Sequence, residues 1–338
     1  MTTEHRPSRR ELDPGELAAR LATLVRERLE ATIDDLEPLE GGRSSLTYRA
    51  TLTRNGGSGE SIVVKIAPPG LEPVANRDVL RQARVLEVLA RDGRVPVPSV
   101  LLTEAGAPPA TPPLFLMNLV DGATVEPIFS ASGTLPGADV VRGRAFAAAR
   151  GLAALHAVPV HGFGAGEPVV TIVDELVRWD RTMQAAGGSE ESDLIRERLL
   201  ATVPADIAPT LVHGDFRLGN CLFVDATLTA VLDWEIWAVS DPRIDLAWLM
   251  LTAMPDTHPG ADRAPEGMPS PEEVVEHYRV HTDRPGATEN MDWFLASALF
   301  KMAAMTRHIG KKFPADDPRR TGREAGAARM LAAASALL

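Results

Sequence analysis

The chain has 338 residues, room for one large domain or two ordinary ones, and 45% hydrophobic against 24% charged residues is a globular composition. A net charge of −11 leaves no general electrostatic footprint for nucleic acid, so none is expected as a partner. The lone cysteine, Cys221, excludes an intramolecular disulfide and a multi-cysteine zinc site, and fits a reducing, cytoplasmic location. Met1 to Leu12 lacks the apolar core of a signal peptide, and no run of eighteen uncharged apolar residues occurs. Arg329 interrupts the alanine-rich C-terminus, so a soluble protein without a membrane partner is expected.

Asp13 as N-cap, Pro14 at the first helical position and Glu16 open a predicted helix. Leu17, Leu21, Leu24, Val25 and Leu29 form its apolar face. From about Leu36 to Ile66 the pattern changes to alternation (Leu46, Tyr48, Ala50, Leu52) and a β-branched run, Ile62 to Ile66. Asn55-Gly56-Gly57 supplies turn chemistry. Three antiparallel strands are predicted, with a glycine-bearing turn between the first two. A helix from Arg77 to Arg91 and strands at Val100 to Leu102 and Leu114 to Val120 follow, the last ending at Asp121-Gly122. Beyond this, helices are predicted over Phe146–His156, Val173–Gln184, Leu194–Val203, Leu246–Met250, Pro271–Thr282, Met291–Ile309 and Gly322–Leu338. A short hairpin around Asp225 to Thr227 joins Leu222–Val224 to Ala230–Leu232, and Pro255 to Pro271 reads as a surface loop.

The resulting division is an extension and helix over residues 1–35, a strand-rich lobe over 36–120 and a larger helical lobe over 121–338. The fold class is α+β, a two-lobed design with a cleft between the lobes.

Chemistry concentrates in Leu211-Val212-His213-Gly214-Asp215-Phe216-Arg217-Leu218-Gly219-Asn220 and in Leu232-Asp233-Trp234-Glu235. Phosphoryl transfer from ATP requires a carboxylate near the attacking hydroxyl and oxygen ligands for Mg²⁺. Asp215 and Asn220 lie five apart on a glycine-bearing loop, and Asp233 comes from the end of the next strand. Asp215 is read as the group that accepts or orients the substrate proton, with Asn220 and Asp233 holding metal. Each residue taken singly also suits an ordinary polar loop. No Gly-x-x-x-x-Gly-Lys-[Ser/Thr], Gly-x-Ser-x-Gly or His-Glu-x-x-His occurs, and Gly162 to Gly166 lacks dinucleotide-binding spacing.

His-Gly-Asp-x-x-x-x-Asn with Asp thirteen residues later resembles the catalytic loop and metal-binding segment of the aminoglycoside phosphotransferase family, relatives of the protein kinases. The resemblance covers roughly Leu36 to Ile309 and implies a protein-kinase-like fold, ATP and Mg²⁺ as cofactors, and a small-molecule hydroxyl acceptor. Gly41-Gly42-Arg43-Ser44-Ser45-Leu46-Thr47-Tyr48 is similar to that family's nucleotide loop, which implies phosphate contacts at Gly41, Gly42, Ser44 and Ser45. A glycine pair in a hairpin is otherwise only a turn. Lys65, alternating away from Val64 and Ile66, resembles the phosphate-binding lysine. Met117-Asn118-Leu119-Val120 stands where the resemblance implies an adenine-binding backbone, at Met117, Asn118 and Val120.

Arg217 is read either as a contact to substrate or phosphate or as half of a surface salt bridge. His213 is expected to be structural, Asp245 to brace the loop, Asp241 to cap a helix and Cys221 to be buried and inert. One departure stands out: Gln82 occupies the position of the helix glutamate that pairs with the strand lysine, with Asp78 as a possible substitute. The run Leu211 to Met250 and two later helices are similar to a subgroup of the family found with acyl-CoA dehydrogenases. That similarity implies a hydroxylated acyl-CoA or comparable hydroxyl metabolite as acceptor. An aminoglycoside drawn by the acidic residues between Asp256 and Asp292 is the second expectation, and a nucleotide-binding regulator with little transfer activity the third.

Overall fold

The computed structural model describes residues 12–39, 45–126, 136–163, 167–251, 253–254 and 266–338. The chain forms two compact units, one of Met1–Asp121 with Leu232–Ile236, the other of Gly122–Val231 with Trp237–Leu338. The α+β class holds, with an antiparallel sheet in the first unit and mostly helices in the second.

In the first unit, α1 (Pro14–Leu29) starts where Asp13 Oδ1 accepts the N–H groups of Gly15 and Glu16 at 2.7 and 3.2 Å. It buries Leu17, Leu21 and Val25, one residue per turn on a single face. Strands β1 (Ala31–Pro38), β2 (Leu46–Arg54), β3 (Glu60–Ile66), β4 (Val100–Glu104) and β5 (Leu114–Asn118) form an antiparallel sheet in the order β1-β2-β3-β5-β4. Its inner face, with Ala50, Leu52, Ile62, Val64, Ile66, Leu114 and Leu116, packs with the α1 stripe into one core. Strand β1 begins at Ala31, five residues before the predicted start at Leu36. Adjacent acids Asp34 and Asp35 obscure the alternation, and a bulge between Asp34 and Glu37, with Asp35 at φ 55°, breaks its period. Helix α2 (Val79–Asp92) starts after Asp78, whose carboxylate caps Arg81 N–H at 3.0 Å. Gly93 ends it at φ 77°, a conformation open to glycine at low cost.

In the second unit, α3 (Ala138–His156) begins eight residues before the predicted start. Arg142, Gly143 and Arg144 interrupt the apolar pattern, yet Arg144 is buried and donates through Nε to Asp225 O at 2.7 Å. Gly143 and Gly151 lie on the face that meets the hairpin β7 (Cys221–Val224) and β8 (Thr227–Val231). A Cβ at Gly143 would come within 2.7 Å of Ala226 Cβ, so the close approach there requires glycine, whereas one at Gly151 would come within 2.6 Å of Leu228 Cδ2, a side-chain end that can turn aside.

Two three-residue strands, β6 (Thr210–Val212) and β9 (Ala238–Ser240), pair antiparallel; they are too short to show a period in sequence. Helices α4 (Ile172–Ala185), α5 (Glu190–Ala201) and α7 (Pro271–Arg279) carry capping boxes at Thr171/Asp174, Ser189/Ser192 and Ser270/Glu273. With α6 (Arg243–Leu251), α8 (Met291–Gly310) and α9 (Pro318–Leu337), they enclose a core of Leu176, Met183, Leu199, Leu251, Phe294, Leu299, Phe300 and Leu331. Helix α9 starts four residues before Gly322 because Asp317 caps Arg319 N–H, with Pro318 at the first position.

Among the described residues, no helix is long and apolar enough to cross a membrane. Most of the predicted loop Pro255 to Pro271, with Asp256 and Asp262 of the acidic stretch, lies outside the described residues. Leu21 is fully buried between α1 and the sheet. We expect Leu21→Ala to lower the stability of the first unit by about 2–5 kcal/mol, read as a shift of its urea midpoint followed by circular dichroism.

Candidate active site

The first unit gathers one cluster. Lys65 stands on β3 between Val64 and Ile66, both fully buried, so its side chain leaves the opposite face of the sheet. Its ammonium donates to Gln82 Oε1 at 3.0 Å and to Asp233 Oδ1 at 3.3 Å. Gln82 is itself buried on α2 and fixed by its Nε2 donating to Asn76 O at 3.3 Å. The expected contact between Lys65 and this helix position is therefore made by a neutral amide. Asp78, the suggested substitute, is spent on the α2 N-terminus. Asp233 sits at φ 62°, a left-handed conformation uncommon outside glycine, with its side chain partly open to solvent.

Along β5, the Asn118 N–H donates to Ser99 O and the Leu119 N–H to Ser61 O, while Asn118 Oδ1 accepts Ser99 N–H at 2.6 Å. Val120 N–H meets no acceptor among the described residues. Met117 is half-buried in the strand. Ser45 is buried just before β2; Gly41, Gly42 and Ser44 lie outside the described residues.

The second unit carries the loop 213–220 between β6 and β7. Gly214 takes φ 82°, which only glycine adopts without cost. The loop is held from below by Asp245 of α6, whose two carboxylate oxygens accept His213 N–H at 2.6 Å and Gly214 N–H at 2.8 Å. Burial by itself would raise the Asp245 carboxyl. His156 beside it, the His213 ring and the His213 N–H outweigh burial and hold it below the usual carboxylate range. His156 lies with Nε2 3.6 Å from Asp245 Oδ2, and its Nδ1 meets Tyr278 OH at 2.8 Å. Burial pushes its pKa down, against the pull of Asp245. From the other side Lys301 of α8, also buried, donates to Gly214 O at 2.6 Å.

This bracing aims Asp215. Its Oδ1 accepts the Trp248 indole N–H at 2.7 Å, and its Oδ2 accepts Asn220 Nδ2 at 2.8 Å. Asn220 Nδ2 also reaches Asp215 O at 2.9 Å, which leaves the Asn220 side-chain oxygen as a hard donor. Arg217 forms an ion pair: Nη1 donates to Glu126 Oε2 at 3.0 Å and Nε to Asp215 Oδ2 at 3.4 Å. Glu126 Oε2 also accepts Gly219 N–H at 3.0 Å; burial raises its carboxyl, and Arg217 offsets part of that rise. Burial opposes the charge of Arg217 as well, but Asp215 and Glu126 outweigh it and raise its pKa.

Cys221 is fully buried and its thiol is pushed far up by burial, so it is inert, and Asp241 grips Arg243 N–H, Nε and Nη2. Glu126, Trp248 and Lys301 escaped the sequence reading. A lysine alone in the apolar run of α8 and a tryptophan three residues after Asp245 were visible signals, whereas Glu126 sits in no pattern.

Asp245→Asn removes a charged acceptor from two loop amides at a cost of about 2–3 kcal/mol. A carboxyl held low in the folded state contributes stability above about pH 4 that is lost as the solution is acidified through its folded value. The variant should therefore melt lower at pH 7 and show a shallower decline toward pH 2, measured by calorimetric melting across pH.

Residues 35–268 match the model of the family described as "APH: Phosphotransferase enzyme family". Mouse acyl-CoA dehydrogenase family member 10 is 29% identical over 297 residues, 82% of this chain and 26% of that protein. Human acyl-CoA dehydrogenase family member 11 is 27% identical over 274 residues, 75% and 34% respectively, so this chain spans about a quarter to a third of those relatives. Among solved structures, a proposed aminoglycoside phosphotransferase of Ralstonia eutropha shares the fold at TM-score 0.73 and 23% identity, covering 94% of this chain and 98% of its own. A thermostable aminoglycoside phosphotransferase APH(4)-Ia in complex with AMP-PNP and hygromycin B aligns at TM-score 0.59 and 15% identity, covering 94% and 99%. Since the family model spans more than half of the sequence, the chain belongs to the phosphotransferase enzyme family and has its kinase-like fold.

Proposed function

We propose that this chain transfers the γ-phosphoryl group of ATP, with Mg²⁺, to a hydroxyl of a small molecule in the cytoplasm. The observation that carries the proposal is the Asp215 carboxylate. Trp248 and Asn220 fix it, on a loop whose amides are tied to a buried charge. In this reading Asp215 orients the acceptor hydroxyl and takes its proton as the new O–P bond forms and the bond to the departing ADP oxygen breaks. Lys65 meets the phosphates, and Arg217 offsets charge beside Asp215. Backbone groups of Met117, Asn118 and Val120 are assigned to the adenine, with the Val120 N–H, which meets no acceptor among the described residues, as the donor. The loop residues Gly41, Gly42, Ser44 and Ser45 are assigned to the phosphates.

The donors suit Mg²⁺. That ion is commonly held by one or two protein oxygens with phosphate oxygens completing its shell. The Asn220 side-chain oxygen and the Asp233 carboxylate are donors of that kind. Bound there, Mg²⁺ would neutralise charge on the phosphates during transfer.

The neutral Gln82 favours a second reading, a nucleotide-binding regulator with little transfer activity. The two readings separate on Asp215→Ala. The transferase requires kcat for ADP release in a hydroxyl-compound screen to fall by about 10²–10⁴ while calorimetric nucleotide affinity is retained. Wild-type turnover in that variant would refute the assignment of Asp215, and wild-type protein that binds nucleotide yet turns over no acceptor would favour the regulator.

Asp233→Ala should weaken Mg²⁺-dependent nucleotide binding by about tenfold or more, a loss of about 1.4 kcal/mol. Unchanged Mg²⁺ dependence in calorimetry would remove Asp233 from the metal site. Gln82→Ala frees Lys65 from α2 and should raise the ATP KM several-fold, whereas Gln82→Glu, which keeps an acceptor at the same reach, should restore it.

A further inference from the structure

The segment after β5 bends back onto the strand that leaves the loop 213–220. Ala123 N–H donates to Phe223 O of β7 at 2.9 Å, and Phe223 N–H to Ala123 O at 3.1 Å. Glu126, three residues on, is thereby delivered to the loop, with its side chain only 9% exposed. Resting on the phosphotransferase reading above, we infer that Glu126 is a positioning residue: it draws Arg217 away from Asp215 and keeps that carboxylate open to the acceptor hydroxyl.

The first observation is how two carboxylates share one guanidinium. Arg217 Nη1 donates to Glu126 Oε2 at 3.0 Å, whereas Nε reaches Asp215 Oδ2 only at 3.4 Å. Charge-assisted N–H···O bonds commonly close to about 2.7–2.9 Å. Arg217 is thus well seated on Glu126 and stretched from Asp215. Once the charge of Glu126 is removed, Asp215 is the carboxylate left to hold Arg217. A guanidinium closing on Oδ2 would compete with Asn220 Nδ2, which bonds that oxygen at 2.8 Å, and would take up lone pairs that the hydroxyl needs.

The second is that Glu126 is itself committed. Its Oε2 accepts Gly219 N–H as well as Arg217 Nη1, both at 3.0 Å. A buried carboxylate engaged at two points is placed to hold the loop, not to take a proton from a substrate. The Gly219 bond steadies the turn Leu218–Asn220, in which Asn220 N–H donates to Arg217 O at 2.9 Å.

The third is Gly219. A Cβ there would run into Arg217 Nη1 and stand 3.0 Å from Glu126 Oε2. Its φ is not positive, so it is space, not backbone conformation, that calls for glycine. The missing side chain lets the ion pair cross the loop.

The test uses the full chain and the Trp248 indole N–H, which bonds Asp215 and so reports on that carboxylate without any acceptor. Its ¹H–¹⁵N resonance is assigned by its loss in Trp248→Phe. Glu126→Gln keeps an acceptor for Gly219 N–H and removes the charge that holds Arg217. We expect it to move the indole proton upfield, as Arg217 closes on Asp215 and weakens the Trp248 bond. It should also lower kcat for ADP release by about 10- to 100-fold, with the calorimetric nucleotide Kd unchanged. Arg217→Met in the Glu126→Gln background should return the resonance toward its wild-type position and cost no further activity. Gly219→Ala pushes Arg217 off Glu126 by another route; it should shift the resonance the same way, and it decides the point alone if Glu126→Gln does not fold. An unmoved resonance in every folded variant, or a Glu126→Gln loss that multiplies with that of Arg217→Met, overturns the inference. So does a lower melting temperature with kcat and the resonance as in the wild type. The expected shift and its reversal, in protein that releases no ADP with any acceptor, support the positioning role and strike at the transferase reading instead.

Discussion

A single buried carboxylate decides the shape of the loop 213–220. Asp245 has no access to water, and burying such a charge is costly unless it is hydrogen-bonded. The two N–H groups that satisfy it belong to His213 and Gly214, and the second of these residues must take a left-handed conformation to deliver its amide. The backbone therefore cannot relax without exposing an unpaired charge in the core. Lys301 adds a third tie through Gly214 O. Asp215, next in sequence, inherits a fixed origin, and Trp248, from the same helix as Asp245, fixes its direction. One helix thus supplies both the brace of the loop and the partner of its central carboxylate, which keeps the two in register.

A different physical solution operates at Lys65. A carboxylate at the Gln82 position would be expected to form a charge-assisted bond, roughly twice as strong as a neutral one. The amide holds the ammonium by geometry alone and leaves its positive charge unmatched on that side. Asp233 supplies the counter-charge directly. The cluster therefore divides two tasks that a glutamate would combine: Gln82 fixes position, and Asp233 balances charge. Removing the charge from the helix leaves more of the Lys65 field available to an anion.

A wall of three indoles, Trp179, Trp248 and Trp293, belongs to the same scaffold. Its indoles come from helices whose cores pack together, so their spacing is set by the packing of the second unit. Lys301 serves the loop and lies against the faces of two of these indoles. Loop, carboxylate and apolar wall are in this way parts of one packed assembly within the unit.

Much of this was legible in the chain itself. The caps at Asp13 and the stripe Leu17, Leu21 and Val25 announce α1, the alternation around Leu46 to Ile66 announces a sheet, and the spacing of His213, Asp215, Asn220 and Asp233 announces the family. These are local signals, written by backbone hydrogen-bonding needs and by the period of each element. Local reading faltered where tertiary contact overrode the pattern: at the bulge in β1, in the first half of α3 with its buried Arg144, and in the short strands β6 and β9.

Among the functional groups, sequence supplied the residues of the loop but not the partners that aim them. Glu126 precedes Arg217 by 91 positions, Trp248 follows Asp215 by 33, and Lys301 follows Gly214 by 87. Such pairings depend on which helix faces meet, so no short motif records them. The chain by itself determined its elements, its family and the types of group available for chemistry. Only the folded structure decided that Arg217 pairs with Glu126, that Lys65 bonds a neutral amide and an aspartate, and that Lys301 ties down Gly214. The reason is that each of these rests on distances between segments remote in sequence, set by packing and by the cost of leaving a buried polar group unpaired.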